Sequence, residues 1–232
     1  MYKNKRYLAI IPARGGSKGI KDKNIIDVCG KPLIDYTISS ARKSKYLDYI
    51  YVSTDSPKIK EVALQCGASV PFLRDESLAS DTSKTIDAVV YSIKKLEDIG
   101  EYFDFLVLLQ PTSPLRTAED IDRAIEYLDN RETKSLVSIN QIKDNPVLIR
   151  TIDKNGNLRK ILNQNSTVRR QDFKEYYRVN GAIYINSIKK INNETSFNDN
   201  VLGYIMPLER SIDIDNIDDL ENVRNFIKNA KK

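Results

Sequence analysis

Residues 7–19 read Tyr7-Leu-Ala-Ile-Ile-Pro12-Ala-Arg14-Gly-Gly-Ser17-Lys-Gly19, and the step from apolar run to glycine-rich turn decides the fold class. The run Tyr7–Ile11 is short, apolar and stopped by Pro12, as a buried strand is. Pro32 then opens a helix to about Lys45, with Ile34, Ile38 and Ala41 on one face. Tyr49–Ser53 reads as the next strand, Pro57 to about Cys66 as a helix stopped by Gly67, and Thr85 to about Ile99 as a longer helix. Phe103–Leu109 is the most apolar run in the chain and fits a central strand buried on both faces. Thr117, with Asp120 three positions on, starts a helix whose apolar stripe is Ile121, Ile125 and Leu128. Strand and helix thus alternate over residues 7–129, which predicts an α/β fold with a parallel sheet covered by helices.

The rhythm changes near Lys134. Ser135–Asn140, Val147–Ile152 and Leu158–Leu162 have the pattern of short strands, with Asp153-Lys-Asn-Gly156 as a hairpin turn. The stretch 135–177 is therefore expected to be an inserted subdomain or an oligomerisation arm, and 1–134 with 178–232 the main α/β domain. Gly181–Ile185 and Val201–Met206 return to strand pattern. A last helix from Ile217 to about Ala230 buries Leu220, Val223 and Ile227, with Asp218 and Asp219 at its positive end.

The 232 residues contain no His, which removes Ser-His-Asp and Cys-His catalysis, imidazole bases and His-ligated zinc together. Two cysteines, Cys29 and Cys66, make neither a disulfide framework nor a four-thiolate site, and suit a reducing compartment. No apolar run approaches the roughly 18 residues of a membrane span, and Met1–Arg6 leads straight into a strand. The expectation is a cytoplasmic protein without signal peptide or membrane span. The net charge of +5 sits at the ends: residues 1–6 and 225–232 carry three basic and no acidic side chains each. Removing these six from the 37 basic residues leaves 31 against 32 acidic. That balance, without a reader motif or interleaved aromatics, argues against a nucleic-acid partner.

Three loops could carry chemistry. Pro12–Gly19 follows the first strand, and its glycines let consecutive backbone N–H groups converge on an anion while Ser17 adds a hydroxyl donor. Arg14, Lys18, Lys21 and Lys23 surround it with positive charge and Asn24 adds an amide. It is neither a Walker A loop nor a Gly-x-Gly-x-x-Gly turn. Leu109-Gln110-Pro-Thr112-Ser113-Pro-Leu-Arg116 follows the most buried strand and offers neutral hydrogen-bonding groups on a backbone stiffened by prolines. That composition suits a polyhydroxylated ligand, and equally an ordinary strand-to-helix loop. In Ser211-Ile-Asp213-Ile-Asp215, alternation puts both aspartates on one face. Such a pair can hold Mg²⁺, and taken alone it is as simply an amphipathic strand with solvated carboxylates. Arg74, Arg169, Arg170 and Arg178 are further candidates for carboxylate or phosphate binding.

Six blocks occur in register from about residue 7 to 224: Ile11–Gly19 with Lys23-Asn24, Val52–Asp55, Leu78–Asp81, Leu109–Arg116, Asn180–Ile185 and Ser211–Asp215. In these the chain resembles the acylneuraminate cytidylyltransferases, the CMP-sialic acid synthetases. The resemblance implies a Rossmann-like, mostly parallel sheet flanked by helices with a small inserted dimerisation segment, and a homodimer. It implies the reaction of CTP with a nine-carbon 2-keto acid sugar, N-acetylneuraminate first, to give the CMP-sugar and pyrophosphate. Legionaminate and pseudaminate are the alternative sugars, and a non-catalytic nucleotide-binding protein the rival of another class. Carried over by position, Arg14, Gly15, Gly16, Ser17, Lys23, Asn24, Arg74 and Thr85 would bind the nucleotide. Gln110, Thr112, Ser113, Arg170, Arg178, Asn180 and Tyr184 would meet the sugar, Arg170 from the partner subunit's segment. Asp213 and Asp215 would hold Mg²⁺ and, with Arg14 and Lys23, serve catalysis. No membrane partner is implied. Charge building on phosphate oxygens needs electrostatic stabilisation rather than imidazole, so a chain without His can perform this transfer. The pair Lys21-Asp22 interrupts the family's phosphate loop.

Overall fold

The computed structural model describes residues 1–17, 19–80, 82–167, 169 and 174–230. Its centre is a six-stranded sheet in the order β10-β6-β9-β5-β1-β4. These strands are β1 (Tyr7–Pro12), β4 (Tyr49–Ser53), β5 (Phe105–Leu108), β6 (Ser135–Gln141), β9 (Tyr177–Ser187) and β10 (Leu202–Ile205). β1 pairs in parallel with β4 on one side and β5 on the other, and β10 is parallel to β6. β9 runs antiparallel between β5 and β6, so the sheet is mixed at its middle.

Strand periodicity sorts the core. Tyr7, Ala9 and Ile11 face the layer of α1 (Leu33–Lys43), α2 (Pro57–Gln65) and α4 (Ala118–Asp129), where Ile38, Ala63, Ile121, Ile125 and Leu128 are buried. Leu8, Ile10, Leu106 and Leu108 face α3 (Thr85–Asp98), through Ile86, Val89 and Leu96. α5 (Ile217–Ala230) belongs to neither layer. Its Leu220, Val223 and Ile227 close a third apolar group with Ile20, Val28, Leu33, Leu115 and Ile214. That group carries the loops at the carboxyl ends of β1 and β5.

The helix starts follow their chemistry. Thr117 accepts from the Asp120 amide at 3.2 Å while Asp120 accepts from the Thr117 amide at 3.0 Å, a closed capping box. α5 has its counterpart: Asn216 Oδ1 accepts from the Asp219 amide, and Asp219 Oδ2 from the amides of Asn216 and Asp215.

Ser135–Gln141 corrects the expected domain division. The sequence pattern placed it in the inserted segment, but it is a strand of the central sheet with Leu136, Val137 and Ser138 buried. The change of rhythm at residue 134 marks strands arriving without intervening helices, not an exit from the sheet. Of the described residues between 142 and 176, none joins the central sheet, and they carry the hairpin of β7 (Arg150–Ile152) and β8 (Leu158–Lys160). Its turn is the expected one: the Asp153 carboxylate accepts from the amides of Asn155 and Asn157, and Gly156 takes φ +82°. A small hairpin, β2 (Asp27–Val28) with β3 (Lys31–Pro32), turns through Cys29 at φ +54° and Gly30 at φ +89°, and the apolar pattern did not announce it.

Among the described residues no helix is long and apolar enough to cross a membrane. A Leu106→Ala substitution removes a fully buried side chain from the middle of the sheet. It is expected to cost about 2–5 kcal/mol, read as a lower urea midpoint at unchanged slope.

Candidate active site

The chain leaves β1 for β4 on one side and later places β5 on the other, so the sheet has a switch point at the carboxyl end of β1. Loops diverge there and leave a crevice, the general location of ligands in open α/β sheets. A cleft of about 520 Å³ opens at that place, walled by Arg14, Ser17, Lys23, Asn24 and Arg74 and floored by Gln110 and Thr112. Thr85, at the start of α3, closes one side. A second cleft of about 1020 Å³ adjoins it, lined by Arg178, Asn180, Tyr184 and Asn198. Gln110, Asp213 and Asp215 line both and form the boundary between them.

The glycine-rich loop is tied down from below. The Gly15 amide donates to Asp55 Oδ1 at 3.1 Å, and the same oxygen receives Arg74 Nη2 at 3.4 Å. Asp55 therefore couples the loop to an arginine whose side chain is otherwise buried. Asn24 Nδ2 donates to the Arg14 carbonyl at 3.0 Å, and Arg14 Nη1 to the Ser80 carbonyl at 3.3 Å. Open space surrounds Gly16. Gly19 meets the opposite constraint, since a Cβ there would stand 2.7 Å from the Asp215 carbonyl oxygen.

The carboxylate segment is docked onto that loop. The Ile214 amide donates to the Thr112 carbonyl at 2.9 Å, and Ile214 is fully buried beside Ile20 and Leu220. Lys23 Nζ donates to the Ile214 carbonyl at 2.7 Å and stands 3.7 Å from Asp215 Oδ1. Ile214 turns inward between the two aspartates, as alternation requires. Asp213 is half-buried, and burial, aided by Asp215 and Asp219, holds its carboxyl above the usual carboxylate range against the opposing effects of Thr112 and Lys23. Its Oδ1 is buried without a hydrogen-bond partner. Asp215 is exposed, with 77% of its side-chain surface open.

The β9 side is shaped by a bulge. Its register against β6 shifts between Val137 and Ile139, and Gly181 opposite takes φ +75°. The positive φ is what calls for glycine at 181; a Cβ there would stand 2.7 Å from Gln110 Oε1 and push that side chain aside. Asn180 accepts from Ser138 Oγ and the Ala182 amide and donates to Ser211 Oγ at 3.0 Å. Its amide braces the bulge against the carboxylate segment. The Tyr184 hydroxyl donates to Asn198 Oδ1 at 3.0 Å.

The structure thus gathers Arg14, Ser17, Lys23, Asn24, Arg74, Thr85, Gln110 and Thr112 about one cleft and Arg178, Asn180 and Tyr184 about the next. Ser113 is not among them: it is buried in the turn below the loop, and its Oγ meets neither cleft. Arg170 and Lys18 lie outside the described residues. Asp22, half of the interrupting charge pair, takes φ +53° and reaches Lys58 at 3.1 Å on the outer surface, away from the cleft. Sequence reasoning passed over Asp55, Lys84, Asn198, Asn216 and Asn222; only the Val52–Asp55 block pointed to the first.

Residues 8–229 match the profile of the cytidylyltransferase family. The chain belongs to that family. The CMP-N,N'-diacetyllegionaminic acid synthase of Legionella pneumophila is 43% identical over 90% of this chain and 91% of its own length. The pseudaminic acid cytidylyltransferase of Campylobacter jejuni serotype O:2 is 33% identical over 92% of this chain and 93% of its own. The N-acylneuraminate cytidylyltransferase of Streptococcus agalactiae serotype III is 36% identical over 93% of this chain, which spans 52% of that longer protein. A solved CMP:2-keto-3-deoxy-manno-octonic acid synthetase complexed with CTP shares the fold, with a TM-score of 0.72 at 17% identity, covering 97% of this chain and 99% of its own.

An ionised Asp213 is penalised by burial in the native state, so the penalty is present above its raised pKa and vanishes when acid protonates the group. Asp213→Asn should therefore melt at or above the parent's temperature at neutral pH, and the gain should disappear in acid, as thermal unfolding across pH would register.

Proposed function

We infer that this cytidylyltransferase transfers the cytidylyl group of CTP to a free nonulosonic acid, giving the CMP-sugar and pyrophosphate. The observation that carries this reading is the pair of adjoining clefts whose shared wall is Gln110, Asp213 and Asp215. A transfer between two bound molecules needs two sites meeting at one reacting centre. One cleft is cationic and amide-rich, as a triphosphate requires. The other holds Arg178, Tyr184 and Asn198, suited to a carboxylate and hydroxyls.

In this reading Arg14, Lys23 and the amides of Gly16 and Ser17 stabilise charge on the phosphate oxygens as the sugar hydroxyl attacks the α-phosphorus and pyrophosphate leaves, while the Gly15 amide stays on Asp55 and holds the loop. Arg74 and Thr85 face the nucleoside end, Gln110 stands between nucleotide and sugar on the shared wall, and Thr112, expected at the sugar, lines the nucleotide cleft. Asp213 and Asp215 fit a Mg²⁺ ion. Among the described residues no group of three or more metal-binding side chains stands together, and Mg²⁺ needs only one or two carboxylates beside phosphate oxygens and water. The buried, unpartnered Oδ1 of Asp213 is an acceptor left for such an ion. When bound, the ion would neutralise phosphate charge and lower the pKa of the attacking hydroxyl, work otherwise left to a dedicated base.

The hairpin segment fits a contact with a second copy of the chain. Ile152 and Leu158 are each 70% exposed, and Leu148 and Ile161 lie open on the same segment. A homodimer, with Arg170 serving the partner's sugar cleft, is what the resemblance to the acylneuraminate cytidylyltransferases implies. A cytoplasmic setting, where CTP is at hand, accords with the two free thiols.

Among the sugars, N-acetylneuraminate is the first reading from the motif blocks. The higher identity to the Legionella protein, over nearly its whole length, favours N,N'-diacetyllegionaminate as the second. Pyrophosphate release with CTP, Mg²⁺ and a panel of N-acetylneuraminate, diacetyllegionaminate, pseudaminate and 3-deoxy-manno-octulosonate tests both. Release with one nine-carbon acid is expected; CTP binding with no release across the panel would remove the assignment. Asp213→Asn and Asp215→Asn should each lower turnover at least about 100-fold if they carry the metal ion, and near-parental rates in both would exclude that role.

A further inference from the structure

Asp120 is 1% exposed, yet its capping duty in α4 engages only one of its oxygens. Oδ2 accepts from the Thr117 amide and hydroxyl and from Arg210 Nε at 3.0 Å, while Oδ1 accepts from Arg210 Nη2 at 2.9 Å. A helix cap needs no arginine. The bidentate fork couples α4 to a residue 90 positions away, and the carboxylate holds the Arg210 guanidinium above its usual pKa. Arg210 ends the turn Leu208–Arg210, immediately before Ser211-Ile-Asp213-Ile-Asp215. It lines neither cleft.

Between β10 and α5 this stretch contains no strand or α-helix of its own, so its course is set by what holds it. Downstream it is held by the Ile214 contacts to Thr112 and Lys23 and by Asp219 on the Asp215 amide. Upstream it is held by Ser211 on Asn180 and by Arg210 on Asp120. Only the last is a charged, two-pronged anchor, which fixes direction as well as distance. Asp213 follows Arg210 by three residues, about 10 Å of extended chain at most, so a shift at the anchor is passed to the carboxylate with little slack.

We propose that Arg210 and Asp120 are positioning residues that set the place of Asp213 and Asp215, and through them the affinity of the site for a divalent cation. This rests on the reading that the two aspartates hold such a cation. The nearest alternative is that the pair only stabilises α4 and the turn.

The experiment measures Mn²⁺ binding by electron paramagnetic resonance, with and without CTP, in Arg210→Gln, Asp120→Asn, the double variant and Asp213→Asn. Steady-state kinetics and melting are followed in parallel. Arg210→Gln is expected to weaken Mn²⁺ binding about 10-fold, the lower end of the loss seen when a group bonded to a metal ligand is removed, because Arg210 acts through the backbone. kcat should fall, with KM for CTP changed less than about twofold. Arg210→Gln also strands a buried charge and should lower the melting temperature. The double variant, neutral on both sides, should regain much of that temperature without regaining Mn²⁺ affinity. Parental Mn²⁺ affinity and kcat in Arg210→Gln, or recovery of both in the double variant, would overturn the proposal. If Arg210→Gln does not fold, Arg210→Lys keeps the charge and loses the fork, and must show the same loss of Mn²⁺ affinity. Asp213→Asn separates the two ideas. If it loses Mn²⁺ while Arg210→Gln does not, only the positioning role fails; if it too retains Mn²⁺, the metal assignment fails and this inference with it.

Discussion

Everything at the site depends on the docking of one short segment, residues 211–215, into the mouth of the sheet. Ile214 is the peg. Its side chain is fully buried with Ile20 and Leu220, its amide is spent on Thr112 and its carbonyl on Lys23. Burying an isoleucine side chain is worth roughly 2–3 kcal/mol, and here it gathers the glycine-rich loop, the Gln110–Arg116 loop and the start of α5. Because alternation turns the two neighbouring aspartates outward when Ile214 turns in, the force that packs this corner also aims the carboxylates. The cost is an acceptor on Asp213 left without a partner, the kind of unsatisfied group that functional sites retain.

The second organising feature is β9, inserted antiparallel between β5 and β6. An antiparallel strand at the middle of a parallel sheet points its carboxyl end away from the site, so it meets the clefts from its amino-terminal end, with Arg178, Asn180 and Gly181, and reaches on as far as Tyr184. The Gly181 bulge lies there at φ +75°, and the Gln110 side chain occupies the space a Cβ would take. Arg116 fastens the two parts: fully buried, it donates to the carbonyls of Gln110 and Ala182 at 3.2 and 2.7 Å. Burial lowers its pKa to about 9, which leaves it charged at neutral pH. Its remaining donors have no partner, so a costly buried cation is retained where two loops must hold one register.

Most elements were legible because each announces itself locally. The Thr117–Asp120 box, the apolar stripes of α4 and α5 and the hairpin turn at Asp153–Gly156 depend on residues within one or two turns of each other. The glycine-rich loop was legible as a loop at the carboxyl end of β1 for the same reason, since its glycines, hydroxyl and cations are neighbours in the chain. Ser113 was misread because a hydroxyl's direction depends on which way its turn packs, and Ser135–Gln141 because strand pattern does not say which sheet a strand joins.

By itself the sequence determined the alternation of strand and helix, the absence of imidazole chemistry, the glycine-rich turn after β1 and the facing of Asp213 and Asp215. These follow from composition and from backbone periods of 2 and about 3.6 residues, properties of neighbouring residues. The tertiary structure alone decided that β9 enters antiparallel, that Asp55 braces the loop and is itself held by Arg74, and that Arg210 is moored to Asp120 across 90 positions. Such contacts depend on which surfaces the sheet brings together, and the free energy that selects them is shared among groups far apart in the chain.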